Sequence, residues 1–455
     1  MAQVDGATAV RGPQPQKSPV IPGFFTPRAV TGIITRPKPS AKVQNMSSVS
    51  YENAATAALS SSAPRILQNM LALDDFEEAA RRSIPRPIFG YINGGAETNA
   101  SLHDNRAVWD ELQFIPKTLV DTSARSLKTT LMGQSYDLPF GIPPMGGTGM
   151  ACADGDVALA RSAARANIPM VVSGAALTSL ERVKQEGKTA WFQAYLPGED
   201  DVIQQLVERV AKAGYDTLVL TVDVSVLANR ENNVRTGFST PLRPSLRLAW
   251  DMGIRPRWAL SMLKHTLTHG MPHFENMGPR VPMISALNRQ AGRRDRLSWQ
   301  HVDLMRRLWK GKLVLKGILD PQDAARARDA GVDGVMVSNH GGRQLDGAVS
   351  PLRVLSAVKA NAGNMAVMMD SGIRRGTDVL KALALGADFV FVGRPFLYAI
   401  AAGGEHGAQH VINLLRSELM TDMALVGVNS PKEMTPELLM DRRAYDWQSA
   451  GVLKK

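Results

Sequence analysis

From Leu138 onward the chain repeats one unit, a short β-type run followed by an alanine- or leucine-rich helical stretch. The runs fall at 138–142, 169–173, 190–194, 217–222, 313–316, 334–338, 366–370 and 389–393. Val157–Ala164 and Asp378–Leu385 are typical of the helical stretches that follow. Strands alternating with helices pair in parallel, and eight such units predict a (β/α)8 TIM barrel. An open doubly wound sheet is the competitor, but no Gly-x-Gly-x-x-Gly opens the first βα unit. One gap breaks the rhythm. About ninety residues separate the fourth and fifth runs, too many for an ordinary connection, so a long insertion over 236–300 is expected after strand four.

The 455 residues carry a net charge of +11 and a single cysteine, Cys152. One cysteine excludes an intrachain disulfide and a cysteine-built metal cluster, and it suits a reducing, cytoplasmic compartment. No metal site is expected. No apolar run reaches the roughly 18 residues of a transmembrane helix. The positive charge is uneven: residues 1–65 are net +5, residues 236–300 net +7, and the rest is nearly neutral. A nucleic-acid enzyme would carry that field around its active site, so no nucleic-acid partner is expected. Residues 1–65, rich in Pro, Ser, Ala and basic side chains, read as a disordered extension preceding one barrel domain over 66–455. Their shortage of acid also suits a transit peptide, but the prolines interrupt any amphipathic helix.

The densest chemical signal is Ser338-Asn339-His340-Gly341-Gly342-Arg343-Gln344-Leu345-Asp346, directly after the sixth run. In a barrel of this kind the C-terminal strand ends are where chemistry is done. His340 can accept a proton near neutral pH, and Arg343 can clamp a carboxylate with two parallel hydrogen bonds. Polar residues at other strand ends would converge on the same mouth: Pro144-Met145-Gly146, Ser173, Gln193 with Tyr195, Thr221 with Asp223 and then Arg230, Lys316, and Asp370. After runs seven and eight, Asp370-Ser371-Gly372-Ile373-Arg374 and Gly393-Arg394 each pair glycine with arginine. Loops at those two positions commonly hold a phosphate through backbone N–H groups and a helix N-terminus.

With these motifs in place, the chain resembles the FMN-dependent L-2-hydroxy acid dehydrogenases and oxidases, with a pattern nearest the mandelate dehydrogenases. The resemblance spans roughly residues 70–440 and rests on the Ser338–Asp346 run, Trp191–Tyr195, Leu220–Asp223 and Arg374–Asp378. It implies FMN as cofactor and a small 2-hydroxy acid as substrate. It implies His340 as the base, Asp223 as the carboxylate stabilising its protonated form, and Tyr195 beside the substrate hydroxyl. Tyr91, Arg230 and Arg343 would bind the substrate carboxylate. Lys316 would lie at the N1 end of the flavin ring. Gln193, Thr221, Ser173, Pro144, Met145 and Gly146 would contact the ring, with Ser338 also on the cofactor side. Asp370, Gly372, Arg374, Gly393 and Arg394 would contact ribityl and phosphate. A homotetramer is usual among such proteins. Whether the base removes the α-proton or the hydroxyl proton is open at this level.

Two departures from the glycolate oxidase pattern remove bulk: Ala175 stands where that pattern has tryptophan, and Gly146 where it has alanine. A substrate larger than glycolate, lactate- or mandelate-like, is expected unless Met145 or Leu177 refills the space. The insertion interleaves Trp250, Ile254, Trp258, Leu260, Met262, Leu263, Leu267 and Met271 with Arg243, Arg247, Arg255, Arg257 and Lys264. That composition fits a segment lying on an anionic membrane surface. The resemblance to the mandelate and bacterial lactate dehydrogenases implies docking through this loop, on the inner face, with a quinone taking the electrons. A lid or an oligomer contact is the plainer reading of the same segment. Room at Gly146 favours instead an oxidase that reduces oxygen to hydrogen peroxide. An FMN-dependent isomerase would share the phosphate loops without needing His340 and Arg343 together with Tyr195 and Arg230. A non-catalytic scaffold would have no use for the full polar set.

Overall fold

The structure, a computed structural model, describes residues 64–196, 199–286 and 294–442. The expected disordered extension therefore lies, but for its last two residues, outside the described residues. Eight parallel strands follow: β1 (Phe140–Gly141), β2 (Met170–Ser173), β3 (Ala190–Ala194), β4 (Thr217–Thr221), β5 (Lys312–Ile318), β6 (Gly334–Val337), β7 (Ala366–Met369) and β8 (Phe389–Phe391). Each pairs with its neighbours in chain order, and β8 pairs with β1. A parallel bridge from Ile142 to Met170 joins β1 to β2 and closes the barrel.

Side-chain alternation along the strands positions the site. Val171, Trp191, Val219, Val314, Met336 and Met368 point inward and form one buried cluster with Phe389 and Phe391. Residues between them, such as Val172, Leu220, Leu315 and Val337, face the helices in the larger core. Two positions on from each inward residue the side chain points inward again, one layer higher. Those positions are Ser173, Gln193, Thr221, Lys316, Ser338 and Asp370. An apolar plug thus carries a polar layer at the C-terminal face. The hairpin Thr129–Leu131/Gln134–Tyr136 adds Leu131 and Tyr136 to the same plug.

The gap between β4 and β5 holds the helices Glu231–Thr236, Leu246–Gly253 and Pro256–His269 and a short antiparallel pair, His273–Phe274 with Val281–Pro282. Pro256–His269 has a buried side and an open side: Trp258 and Met262 are buried, and Leu260, Leu263 and Leu267 are exposed. Of the apolar residues that composition alone groups together here, Trp258 and Met262 therefore belong to the packed side and Leu260, Leu263 and Leu267 to the open one. Trp258 Nε1 donates to the Met150 carbonyl at 2.8 Å, which fastens this helix to the barrel. No described helix is long and apolar enough to cross a membrane.

Candidate active site

One cavity of about 550 Å³ opens at the C-terminal face. Tyr91, Pro144, Met145, Gly146, Tyr195, Arg230, Lys316, His340, Arg343, Asp370, Gly372, Arg374, Gly393 and Arg394 all line it. Ser173, Gln193, Thr221, Asp223 and Ser338 are buried or nearly so behind that lining. Ser338 does not open on the cavity. Its hydroxyl instead accepts from Lys316 Nζ at 2.8 Å and from the His340 N–H at 3.0 Å, setting the positions of both.

His340 sits at φ 57°, an uncommon left-handed conformation for a residue with a side chain. The loop that imposes it is held from outside the barrel. Asn105 and Asn339 exchange two side-chain hydrogen bonds at 2.8 Å. Asp346 accepts from the N–H groups of Thr98 and Ser101 at 3.0 Å. The imidazole Nδ1 lies 3.0 Å from Asp223 Oδ1, so its other nitrogen is left for the cavity. Asp223 is admitted by Gly317 (φ 107°), where an added Cβ would come within 2.6 Å of the Asp223 side chain.

Burial pushes the pKa of His340 below its ordinary 6.5, and Lys316 and Arg230 push the same way. Asp223 opposes them without prevailing, so the ring is neutral at pH 7 and free to take a proton. Burial raises the Asp223 carboxyl, but His340 and Lys316 outweigh it and hold it below the usual range. Lys316, 3.0 Å from Asp370 Oδ2, is lowered by burial and raised further by Asp370 and Asp223; it stays charged.

Arg343 donates through Nη1 to the carbonyls of Tyr91 at 2.6 Å and Gly94 at 2.7 Å, and its guanidinium lies 4.7 Å from the Tyr91 ring centre. Arg230 donates to the Arg343 carbonyl at 3.0 Å and to Gln344 Oε1 at 2.7 Å. Burial, then Arg230 and Arg394, push Arg343 down to about 9. Arg394, which donates to the Ile92 and Gly94 carbonyls, is pushed down to about 10 by burial. Both remain cations at neutral pH. Buried cations crowded round one hollow are relieved by an anion, which is the electrostatic character of a carboxylate and phosphate site. Arg374 lies 3.1 Å from Asp74 Oδ1 at the same end.

A family model described as FMN-dependent dehydrogenase matches residues 80–441. The chain belongs to that family. The (S)-mandelate dehydrogenase of Pseudomonas putida is 38% identical over 380 residues, 82% of this chain and 95% of that protein. An L-lactate dehydrogenase of Caulobacter sp. (strain K31) is 37% identical over 377 residues, covering 80% of this chain and 97% of its own. A crystal structure titled as the monotopic membrane protein (S)-mandelate dehydrogenase superposes with a TM-score of 0.76 at 36% identity, over 82% of this chain and all of that one. The chain is accordingly an FMN-dependent 2-hydroxy acid dehydrogenase with a TIM-barrel fold.

The residues present suit that cofactor. Gln193 Nε2 and Thr221 Oγ1 are buried without a hydrogen-bond partner among the described residues, at the strand ends bordering the cavity. Buried polar atoms do not stay unpaired at no cost, and a polar heterocyclic ring laid over the strand ends would satisfy them. Arg374 and Arg394, with Gly372 and Gly393, line the same cavity, and a pair of cations beside glycine N–H groups suits a phosphate.

Several residues of this site carry no local signal in the sequence. Arg294, in the insertion, lies 4.4 Å from the Tyr195 ring centre and lines the cavity. Phe238 stacks on Tyr91 at 4.3 Å between ring centres. Asn105 reaches the His340 loop from a helix far away in sequence. Leu177 does not refill the pocket: it packs against Gly149, whereas Ala175 and Met145 both line the cavity.

Proposed function

We propose that the protein oxidises an L-2-hydroxy acid with a bulky, mandelate-like side chain to the 2-oxo acid and passes the electrons to a membrane quinone. One observation carries the chemistry: the His340 imidazole, backed by the Asp223 carboxylate at 3.0 Å, shares a single cavity with Arg230 and Arg343. FMN, when bound, supplies the two-electron acceptor that no side chain provides. Arg343 and Arg230 bind the substrate carboxylate, with the Tyr91 hydroxyl beside it, and so orient the hydroxylated carbon. Tyr195, its hydroxyl kept protonated by burial, donates toward the substrate oxygen. His340 receives the proton that leaves the substrate, and Asp223 stabilises the imidazolium that results. Lys316 holds positive charge where negative charge develops on the cofactor side. Pro144, Met145, Ser173, Gln193 and Thr221 serve the ring, and Asp370, Gly372, Arg374, Gly393 and Arg394 serve the ribityl chain and phosphate.

The size reading rests on Gly146 and Ala175, which face each other. A Cβ added at Gly146 would come within 3.1 Å of the Ala175 Cβ and 3.3 Å of the Tyr91 hydroxyl. The membrane reading rests on Leu246, Trp250, Ile254, Leu260, Leu263 and Leu267, all exposed on the two insertion helices or the turn between them, among Arg247, Arg255, Arg257 and Lys264. Leu227 and Val234 line the cavity and are themselves exposed, an apolar mouth suited to an acceptor arriving from lipid. Room at Gly146 supports a second reading, an oxidase using oxygen.

Steady-state rates on glycolate, L-lactate and (S)-mandelate, with peroxide yield measured against reduction of a quinone analogue, test both readings. Preference for mandelate with little peroxide is expected. Preference for glycolate would defeat the size reading, and stoichiometric peroxide would defeat the quinone.

A further inference from the structure

The helix Pro256–His269 carries two histidines that the chemistry above leaves unused. At 100° per residue, His265 and His269 fall on the side of the buried Trp258 and Met262, opposite the exposed Leu260, Leu263 and Leu267. His265 is therefore turned toward the barrel, and His269, exposed at the helix's last residue, lies on the same side. There they meet Asp154, at the start of the helix Gly155–Arg165 that follows β1. Asp154 Oδ2 lies 3.4 Å from His265 Nδ1. The two imidazoles stack with centres 5.0 Å apart and planes 18° from parallel. One ligand atom from each of the three residues lies within 4.8 Å of the others.

We propose that Asp154, His265 and His269 bind one divalent transition-metal ion, with Zn²⁺ the best match, and that the ion clasps the insertion to the barrel. Two histidines four apart on one helix face is a spacing that delivers both rings to one metal. Tetrahedral Zn²⁺ with ligands at about 2.0–2.2 Å needs them about 3.4 Å from one another, the separation His265 and Asp154 already have. The remaining closure is small for two side chains at a partly exposed surface.

The surroundings support the ligands. Arg182 lies 2.8 Å from Asp154 Oδ1, which orients the carboxylate and leaves Oδ2 for the ion. Thr268 Oγ1 lies 2.7 Å from His269 Nδ1, leaving Nε2 as the ligand atom. The three residues line a hollow of about 260 Å³ together with His273. His273 Nδ1, buried without a partner among the described residues, lies in the same hollow but outside the three-residue cluster, which leaves the fourth position of a tetrahedral ion to water. A set of imidazole nitrogens with one carboxylate oxygen selects Zn²⁺ over Mg²⁺ or Ca²⁺, which demand oxygen ligands.

The test uses untagged, FMN-loaded full-length protein, stripped with a chelator and titrated with Zn²⁺ alone, then with Mg²⁺. One equivalent of Zn²⁺ should bind, raise the unfolding temperature and slow amide exchange across residues 256–269, and Mg²⁺ should do none of these. His265→Ala/His269→Ala should weaken binding by at least about tenfold with FMN content unchanged. His269→Gln, at an exposed position where folding is not at risk, should weaken it in the same direction. No saturable Zn²⁺ binding to the parent, or equal binding by the variants, overturns the site. Binding without any change in exchange over 256–269 overturns the clasp.

Discussion

Replacing Asp223 with asparagine keeps the shape of the site and removes one charge. The carboxylate lies 3.0 Å from His340 Nδ1, and both side chains are largely buried. A hydrogen bond to a charged group is worth about 1.5–3 kcal/mol, and it is realised in full only when the imidazole becomes imidazolium. At about 1.36 kcal/mol per factor of ten, Asp223→Asn should lower kcat/KM by roughly 10- to 150-fold. The pH profile separates this from simple misfolding. In the parent, kcat/KM should rise with pH through a pKa below 6.5 and then level off, because only neutral His340 accepts a proton and burial disfavours its charged form. Asp223 is what raises the His340 pKa against that burial, so the variant's rising limb should move to still lower pH. Stopped-flow reduction and steady-state rates across pH on FMN-replete protein make the measurement. A change in kcat/KM smaller than twofold, or a limb that moves to higher pH, would refute the reasoning.

Three further outcomes follow. Ala175→Trp should fill the space facing Gly146 and cost (S)-mandelate about tenfold or more in kcat/KM relative to glycolate, the scale of excluding a buried aromatic ring; competition kinetics check it. Lys316→Met should destabilise the protein by about 3–5 kcal/mol, because Asp370 is left buried without its partner at 3.0 Å; Asp370→Asn added to it should restore part of the loss in a denaturant melt. Sedimentation with anionic vesicles should carry the intact protein down at low salt and release it as salt rises, and Trp250→Ser/Leu267→Ser should weaken the pull-down; parent protein indifferent to vesicles at low salt removes the membrane proposal.

The barrel and its polar mouth are legible in the sequence because both rest on local periodicity. Val219 and Thr221, Trp191 and Gln193, and Val314 and Lys316 show the two-residue step that sends one side chain into the plug and the next into the polar layer. The Ser338–Asp346 run is legible for the same reason, since base, glycines and arginine lie within one turn. What escapes is contact between segments remote in sequence. Nothing near Arg294 announces Tyr195, and nothing near Asn105 announces Asn339. The insertion shows the limit of composition: its apolar residues look uniformly suited to lipid, yet the helical period divides Trp258 and Met262 from Leu260, Leu263 and Leu267. The same period places His265 and His269 on the helix side that carries Trp258 and Met262, with His269 still exposed at the helix end.

The most direct measurement is anaerobic addition of (S)-mandelate or L-lactate to the purified yellow protein and to His340→Gln, each carrying one FMN. The parent should lose its flavin absorbance with one equivalent of substrate, while His340→Gln keeps its FMN and bleaches at least a hundredfold more slowly, within the range of about 10²–10⁴ that a positioned base supplies. Equal bleaching of the two proteins would contradict a proton transfer to His340.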